Sequence, residues 1–171
     1  MARVLVLGYG NSLRSDDGLG WHAAVEMART SVSPDVTILP CHQLTPDLAE
    51  PVQRADTVIF LDCTREGDAG DVRCRELVPE PVPTSLTHDL SPSALLALAS
   101  ELYGVCPRAY LPTICGESYA HGEMLSPKVS RRLPELKEMA RRLIEDSLCQ
   151  TASVLGGFPP KIDSLSELPA K

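Results

Sequence analysis

Acids and a histidine gather where this chain passes from apolar runs to polar turns. Asp16 and Asp17 follow VLVLGYGN, Asp62 closes VIFLD, and His88 and Asp89 stand in THDLSP. Two carboxylates and one imidazole make a mixed oxygen and nitrogen donor set that can hold a borderline divalent cation while leaving coordination positions open. Each residue also has a plainer use: Asp16 or Asp17 as a helix cap, Asp62 in a turn, His88 exposed in a loop. Their joint placement favours the site, because an acid ending a buried strand is costly to desolvate without a partner. His42 is the rival ligand. His22 is expected on the surface of a helix, and His121 in a loop that folds over the same rim.

These residues need a scaffold that brings strand ends together. The run VLVL in residues 3–7, ending at Gly8, Gly10 and Asn11, reads as a buried parallel-type strand followed by a turn. Residues 17–30 carry Leu19, Ala23, Ala24 and Met27 at helical spacing. A strand over 35–39, a helix over 45–55 capped by Thr45 with Pro46 at its first position, and a strand over 57–62 come next. Alternation in 72–77 predicts a fourth strand near an edge of the sheet. Ser91 and Pro92 open a helix, and a strand follows over 108–116 in which Pro112 forces a bulge or an unpaired side. The last helix starts at Ser126 and Pro127 and runs to about 148, with a kink or restart expected at Pro134. The fold class is therefore α/β, a three-layer sandwich with a mainly parallel sheet of about five strands and helices on both faces. Residues 1–149 form one domain, and 150–171, rich in Gly, Pro and Ser, form a mobile tail. Ligands of such sheets bind at the carboxyl ends of the strands, where the acids and His88 lie.

Composition removes several functions. With 171 residues, 43% of them hydrophobic, the chain has enough apolar material for one full core. Its formal charge of −7 gives no basic footprint for nucleic acid or anionic lipid. No apolar run approaches the roughly 20 residues of a membrane span, and no cleavable leader is evident, so the expected location is the cytoplasm. The six cysteines include no C-x-x-C pair and are expected as packed free thiols. Cys63 and Cys115 stand where a nucleophile could work, but nothing in the sequence marks either as activated. GYGNSL lacks the third glycine of a dinucleotide fingerprint, and neither a Walker loop nor a G-x-S-x-G elbow occurs. A Mg²⁺-dependent phosphoacceptor signalling domain, or another metal-binding α/β module, is the alternative that paired acids allow. Against it, Asp16 and Asp17 come late after the first strand, and ICGE supplies no lysine.

Four segments in order, VLVLGYGNSLRSDDGLG, VIFLDCT, THDLSP and CGESYAHGEMLSPKV, together resemble the maturation endopeptidases of [NiFe]-hydrogenases. The resemblance runs from residue 3 to about 148, and its opening pattern G-x-G-N-x-L-x-x-D-[DE]-x-x-G is its most specific part. It implies an endopeptidase that removes the C-terminal extension of a hydrogenase large-subunit precursor after nickel insertion. It further implies that Asp17, Asp62 and His88 engage nickel carried by the substrate rather than held permanently. Asp17 stands where some relatives have Glu, one methylene longer. Pro112 and the tail depart from the pattern. Gln43 and Thr45 are expected in the substrate groove, and Asp16 and Asn11 as groups that orient Asp17.

Overall fold

The computed structural model describes residues 3–31, 33–81 and 90–155, with side chains described to 149. Five strands form one sheet: β1 (Val4–Tyr9), β2 (Val36–Cys41), β3 (Thr57–Thr64), β4 (Val72–Leu77) and β5 (Arg108–Cys115), in the order β2-β1-β3-β5-β4. All neighbours are parallel except β4, which runs antiparallel to β5 at one edge. The mainly parallel sheet and its edge strand are as the sequence predicts. The sheet carries α1 (Leu19–Thr30), α2 (Ala49–Gln53), α3 (Pro92–Tyr103) and α4 (Pro127–Leu155).

Alternation along the strands splits the core in two. Leu5, Leu7, Val58, Phe60 and Leu111 face Val52 of α2 and Leu95, Leu96 and Ala99 of α3. Val4, Val6, Ile59, Leu61 and Ile114 face Leu19, Ala23 and Met27 of α1 and Val129, Leu133 and Leu136 of α4. Both faces of β1 and β3 are thus covered, which is why these strands read as unbroken apolar runs.

Local signals act largely as expected. The Ser91 side chain accepts the Ala94 N–H at 3.1 Å ahead of Pro92, and α3 ends on Gly104 in the left-handed region. Pro112 interrupts one ladder only. Pairing of β3 with β5 lapses between Ile59↔Tyr110 and Asp62↔Thr113 with the register kept, while Cys74↔Pro112 continues on the β4 side.

Three expectations change. The predicted helix start at Asp17 is a 3-10 turn over Ser15–Gly18, with α1 beginning at Leu19. The 45–55 helix is a 3-10 turn, Pro46–Leu48, followed by the short α2, and Thr45 occupies the cap position without a side-chain hydrogen bond. The last helix continues through Pro134 and on to Leu155, six residues into the segment assigned to the tail. Pro134 withholds one N–H, but Leu133 and Leu136 on either side are anchored in the core. Packing therefore carries the helix past the local defect.

Candidate active site

The carboxyl ends of β1 and β3 open into a cleft of about 650 Å³ lined by Tyr9, Asn11, Asp17, His42, Gln43 and Asp62, with Leu90 and Ser91 at the entry to α3. Two glycines let the 3-10 turn and α1 close onto these strand ends. Gly10 has φ +136°, and a Cβ there would lie 1.8 Å from the Asp17 carbonyl oxygen. A Cβ on Gly20 would lie 2.0 Å from the Leu61 carbonyl and 2.4 Å from that of Tyr9. The glycine spacing is thus the condition for bringing Asp17 to the side of β3 where Asp62 sits.

Asp62 is the most perturbed acid of the cleft. One carboxylate oxygen accepts the Tyr9 hydroxyl at 2.7 Å, and the other accepts the Cys63 N–H at 2.7 Å. Burial pushes its pKa from 3.8 up to about 6, the two hydrogen bonds oppose that rise, and the charge of Asp17 adds to it. The Tyr9 hydroxyl is in turn held well above its ordinary value, first by burial and then by Asp62, so it remains a donor. Asp17 is half-buried, and its carboxylate accepts the Asn11 N–H at 3.3 Å. A half-buried, desolvated acid poised near neutrality beside a second carboxylate is the arrangement expected of general acid–base chemistry.

Asp16 has a different task from the one expected of it. Fully buried, it turns away from Asp17 and accepts three backbone N–H groups, from Glu117 at 2.8 Å, Ser118 at 2.9 Å and Ser126 at 2.7 Å. It therefore ties the loop after β5, and the start of α4, to the turn that carries Asp17. A bridge between Arg14 and Gly122 and the Ser15 hydroxyl on the Met124 carbonyl extend the same seam. The loop containing His121 does fold over this rim. Of the two groups expected to orient Asp17, only Asn11 touches it, through its backbone.

The histidines divide. His88, with Asp89, lies outside the described residues. β4 runs antiparallel, so its own end, Leu77 beside Ala109, is at the start of β5, and the next described residues, Leu90–Pro92, line the cleft. His42 lines the cleft with its ring stacked on Trp21, centroids 6.2 Å apart. His22 is half-buried rather than exposed: its Nε2 is buried with no hydrogen-bond partner among the described residues, and its ring meets Trp21 edge-on. Gln43 lines the cleft, whereas Thr45 is not among its lining residues. Among the described residues no three His, Cys, Asp or Glu side chains converge as a metal site.

The thiols are passive. Burial pushes Cys63 up to about 12 despite its contact with the Tyr119 hydroxyl at 3.4 Å, and Cys115 is buried with its thiol directed at the Gly67 carbonyl. The sequence did not expose Tyr9 as a site residue. The signal was its place at the end of β1, one strand from Asp62, and it becomes readable only once β1 and β3 are known neighbours.

The five-stranded α/β sandwich matches the fold of hydrogenase maturation proteases of known structure. The hydrogenase maturating endopeptidase HybD from E. coli matches with a TM-score of 0.70 and 24% identity, over 85% of this chain and 93% of that one. The [NiFe] hydrogenase maturation protease HycI from Thermococcus kodakarensis KOD1 matches at 0.69 and 22%, over 84% and 93%. The hydrogenase 2 maturation peptidase from Thaumarchaeota archaeon SCGC_AB-539-E09 matches at 0.64 and 23%, over 84% and 98%. No family model and no curated protein matches the chain.

Proposed function

We propose that this chain is an endopeptidase that removes the C-terminal extension of a [NiFe]-hydrogenase large-subunit precursor once nickel has been inserted. The observation that carries the reading is Asp62, half-buried at the end of β3, braced by Tyr9 and sharing its cleft with Asp17, in a fold shared with maturation proteases. Nothing in the fold comparison supports the Mg²⁺ phosphoacceptor alternative.

Two carboxylates supply only part of a coordination shell, so a nickel ion here has to bring ligands of its own. That suits an ion delivered on the precursor's thiolates and met by Asp17, Asp62 and His88, with His42 the competing imidazole. Recognition then reports whether the metal has been loaded. In the cleavage step a water adds to the scissile carbonyl carbon, a carboxylate accepts its proton and passes it to the leaving amine, and the C–N bond breaks. Asp62 is suited to this, since it is ionised at neutral pH yet basic enough to hold a proton. The bound nickel supplies recognition, with or without polarising the carbonyl as a Lewis acid. The partner is the folded precursor, in the cytoplasm, with neither nucleic acid nor membrane required. Among the described residues no helix is long and apolar enough to cross a membrane.

The test in the host is deletion of the gene. The large subunit is expected to stay at precursor length and to return to mature length with the wild-type gene but not with Asp17→Ala. Mature large subunit in the deletion strain would contradict the proposal.

Three further outcomes are expected. His88→Ala abolishes processing and leaves the thermal midpoint unchanged; normal processing by that variant, with loss in His42→Ala, reassigns the ligand. Protein purified and dialysed retains far less than one equivalent of nickel by elemental analysis, and a stoichiometric inert ion would oppose an open site. Tyr9→Phe removes a hydrogen bond that lowers the Asp62 pKa, so the acid limb of kcat/KM, which reports the free enzyme, moves to higher pH. An unmoved limb would separate Asp62 from the catalytic proton.

A further inference from the structure

A second groove, of about 540 Å³, adjoins Asp62 on the side away from Asp17. It is lined by Asp62, Thr113 and Leu111 and by three guanidinium groups, Arg65, Arg73 and Arg75, with Glu66 its other acid. The register explains the concentration of charge. Asp62 stands opposite Thr113, and Thr113 opposite Arg73, so these side chains form one row across β3, β5 and β4. Arg75, two residues on and opposite Leu111, shares their face one row deeper. In a chain of formal charge −7 this is a local reversal of sign.

The three arginines are not equally engaged. Arg73 meets Asp71 at 3.1 Å, both exposed, and Arg65 lies over the Tyr119 ring at 4.0 Å. Among the described residues Arg75 has no carboxylate within ion-pair distance, although its charge reaches Tyr9 closely enough to favour ionisation of that hydroxyl. An exposed arginine with no carboxylate partner among the described residues, lining the same groove as Asp62, is available to a substrate carboxylate.

Asp62 lines both clefts, so a peptide crossing it occupies both. On the reading given above, the retained, nickel-bearing part lies beside Asp17, which leaves the segment to be removed on the arginine side. Strands are about 4.8 Å apart, so the backbone at Arg73 lies about 10 Å from that at Asp62, the length of about three extended residues. We propose that this groove is the subsite for the leaving segment, and that Arg75, with Arg73, binds a carboxylate side chain within about four residues after the scissile bond. The inference rests on the endopeptidase reading and adds to it a specificity for acidic leaving segments.

The experiment follows release of the extension by mass from a nickel-loaded large-subunit precursor. Arg75→Glu is expected to lower kcat/KM by about 30-fold or more, mainly through KM, and Arg75→Gln by about 5- to 10-fold. Changing the acidic residue of the extension to Arg is expected to impair the wild-type enzyme and to restore Arg75→Glu. Changing it to Gln in the precursor, with the wild-type enzyme, tests the same contact without any risk to the fold, and amidating the chain terminus is expected to change nothing. If the wild type releases the extension while Arg73→Glu and Arg75→Glu match its kcat/KM, or if the cut segment has no acid near the bond, the subsite is wrong and the endopeptidase reading stands. If the wild type releases nothing from the loaded precursor, both fall.

Discussion

Asp62→Asn is expected to abolish processing, by about 1,000-fold or more given the usual contribution of a general base and of a metal contact together, while making the folded protein more stable at neutral pH. The pKa of Asp62 is raised from 3.8 to about 6 in the fold, so the folded state holds the proton that the unfolded chain releases. The stability this gives is fully present below the unfolded value of 3.8 and is lost as pH rises through about 6. Above that the buried charge costs about 3 kcal/mol. Asparagine is neutral throughout. Its oxygen can still accept the Cys63 N–H, and its amide can donate to the Tyr9 oxygen. The variant should therefore match the wild type near pH 4 and exceed it by about 2 kcal/mol at pH 7.5, read from chemical unfolding across the pH range. A variant equally or less stable at pH 7.5 would mean that Asp62 is not the strained acid of the cleft. A stability gain with retained processing would remove it from catalysis.

Asp16→Ala is expected to do the opposite and to damage the fold. The substitution leaves the N–H groups of Glu117, Ser118 and Ser126 without their acceptor. Each such orphaned group costs about 1–3 kcal/mol where water cannot reach it. Partial hydration of the loop brings the expected loss to about 3–5 kcal/mol. Processing should fall with it, because the same bonds hold the Asp17 turn against the loop after β5. Asp16→Asn, which keeps one acceptor oxygen, should lie between the two. A loss below about 1 kcal/mol in Asp16→Ala would show that the seam is not held by this carboxylate.

These two neighbouring acids show how far the sequence could be read. That Asp17 and Asp62 share a cleft was legible, because each follows an apolar run whose strand position fixes its end of the sheet. The division of labour between Asp16 and Asp17 was not legible. It depends on acceptor bonds that reach 101 to 110 residues along the chain, and local pattern carries no trace of such distances. Tyr9 was hidden for a related reason, since its partner is settled by the pairing of β1 with β3. The restart allowed for at Pro134 does not occur, because propensity describes an isolated helix, whereas α4 is held by Leu133, Leu136 and Ala140 against the sheet. His22 misled likewise: its helix is amphipathic, but the ring packs against Trp21 at a boundary that periodicity does not resolve.

On the proposed function, this protein cuts a hydrogenase precursor and checks its metal first. The direct measurement is the C-terminal mass of the large-subunit precursor after incubation with the purified protein, the precursor being supplied nickel-loaded and nickel-free. Loss of a short C-terminal peptide is expected from the loaded form alone. Cleavage of both forms would contradict the metal check, and cleavage of neither, with a precursor from the same source, would contradict the endopeptidase itself.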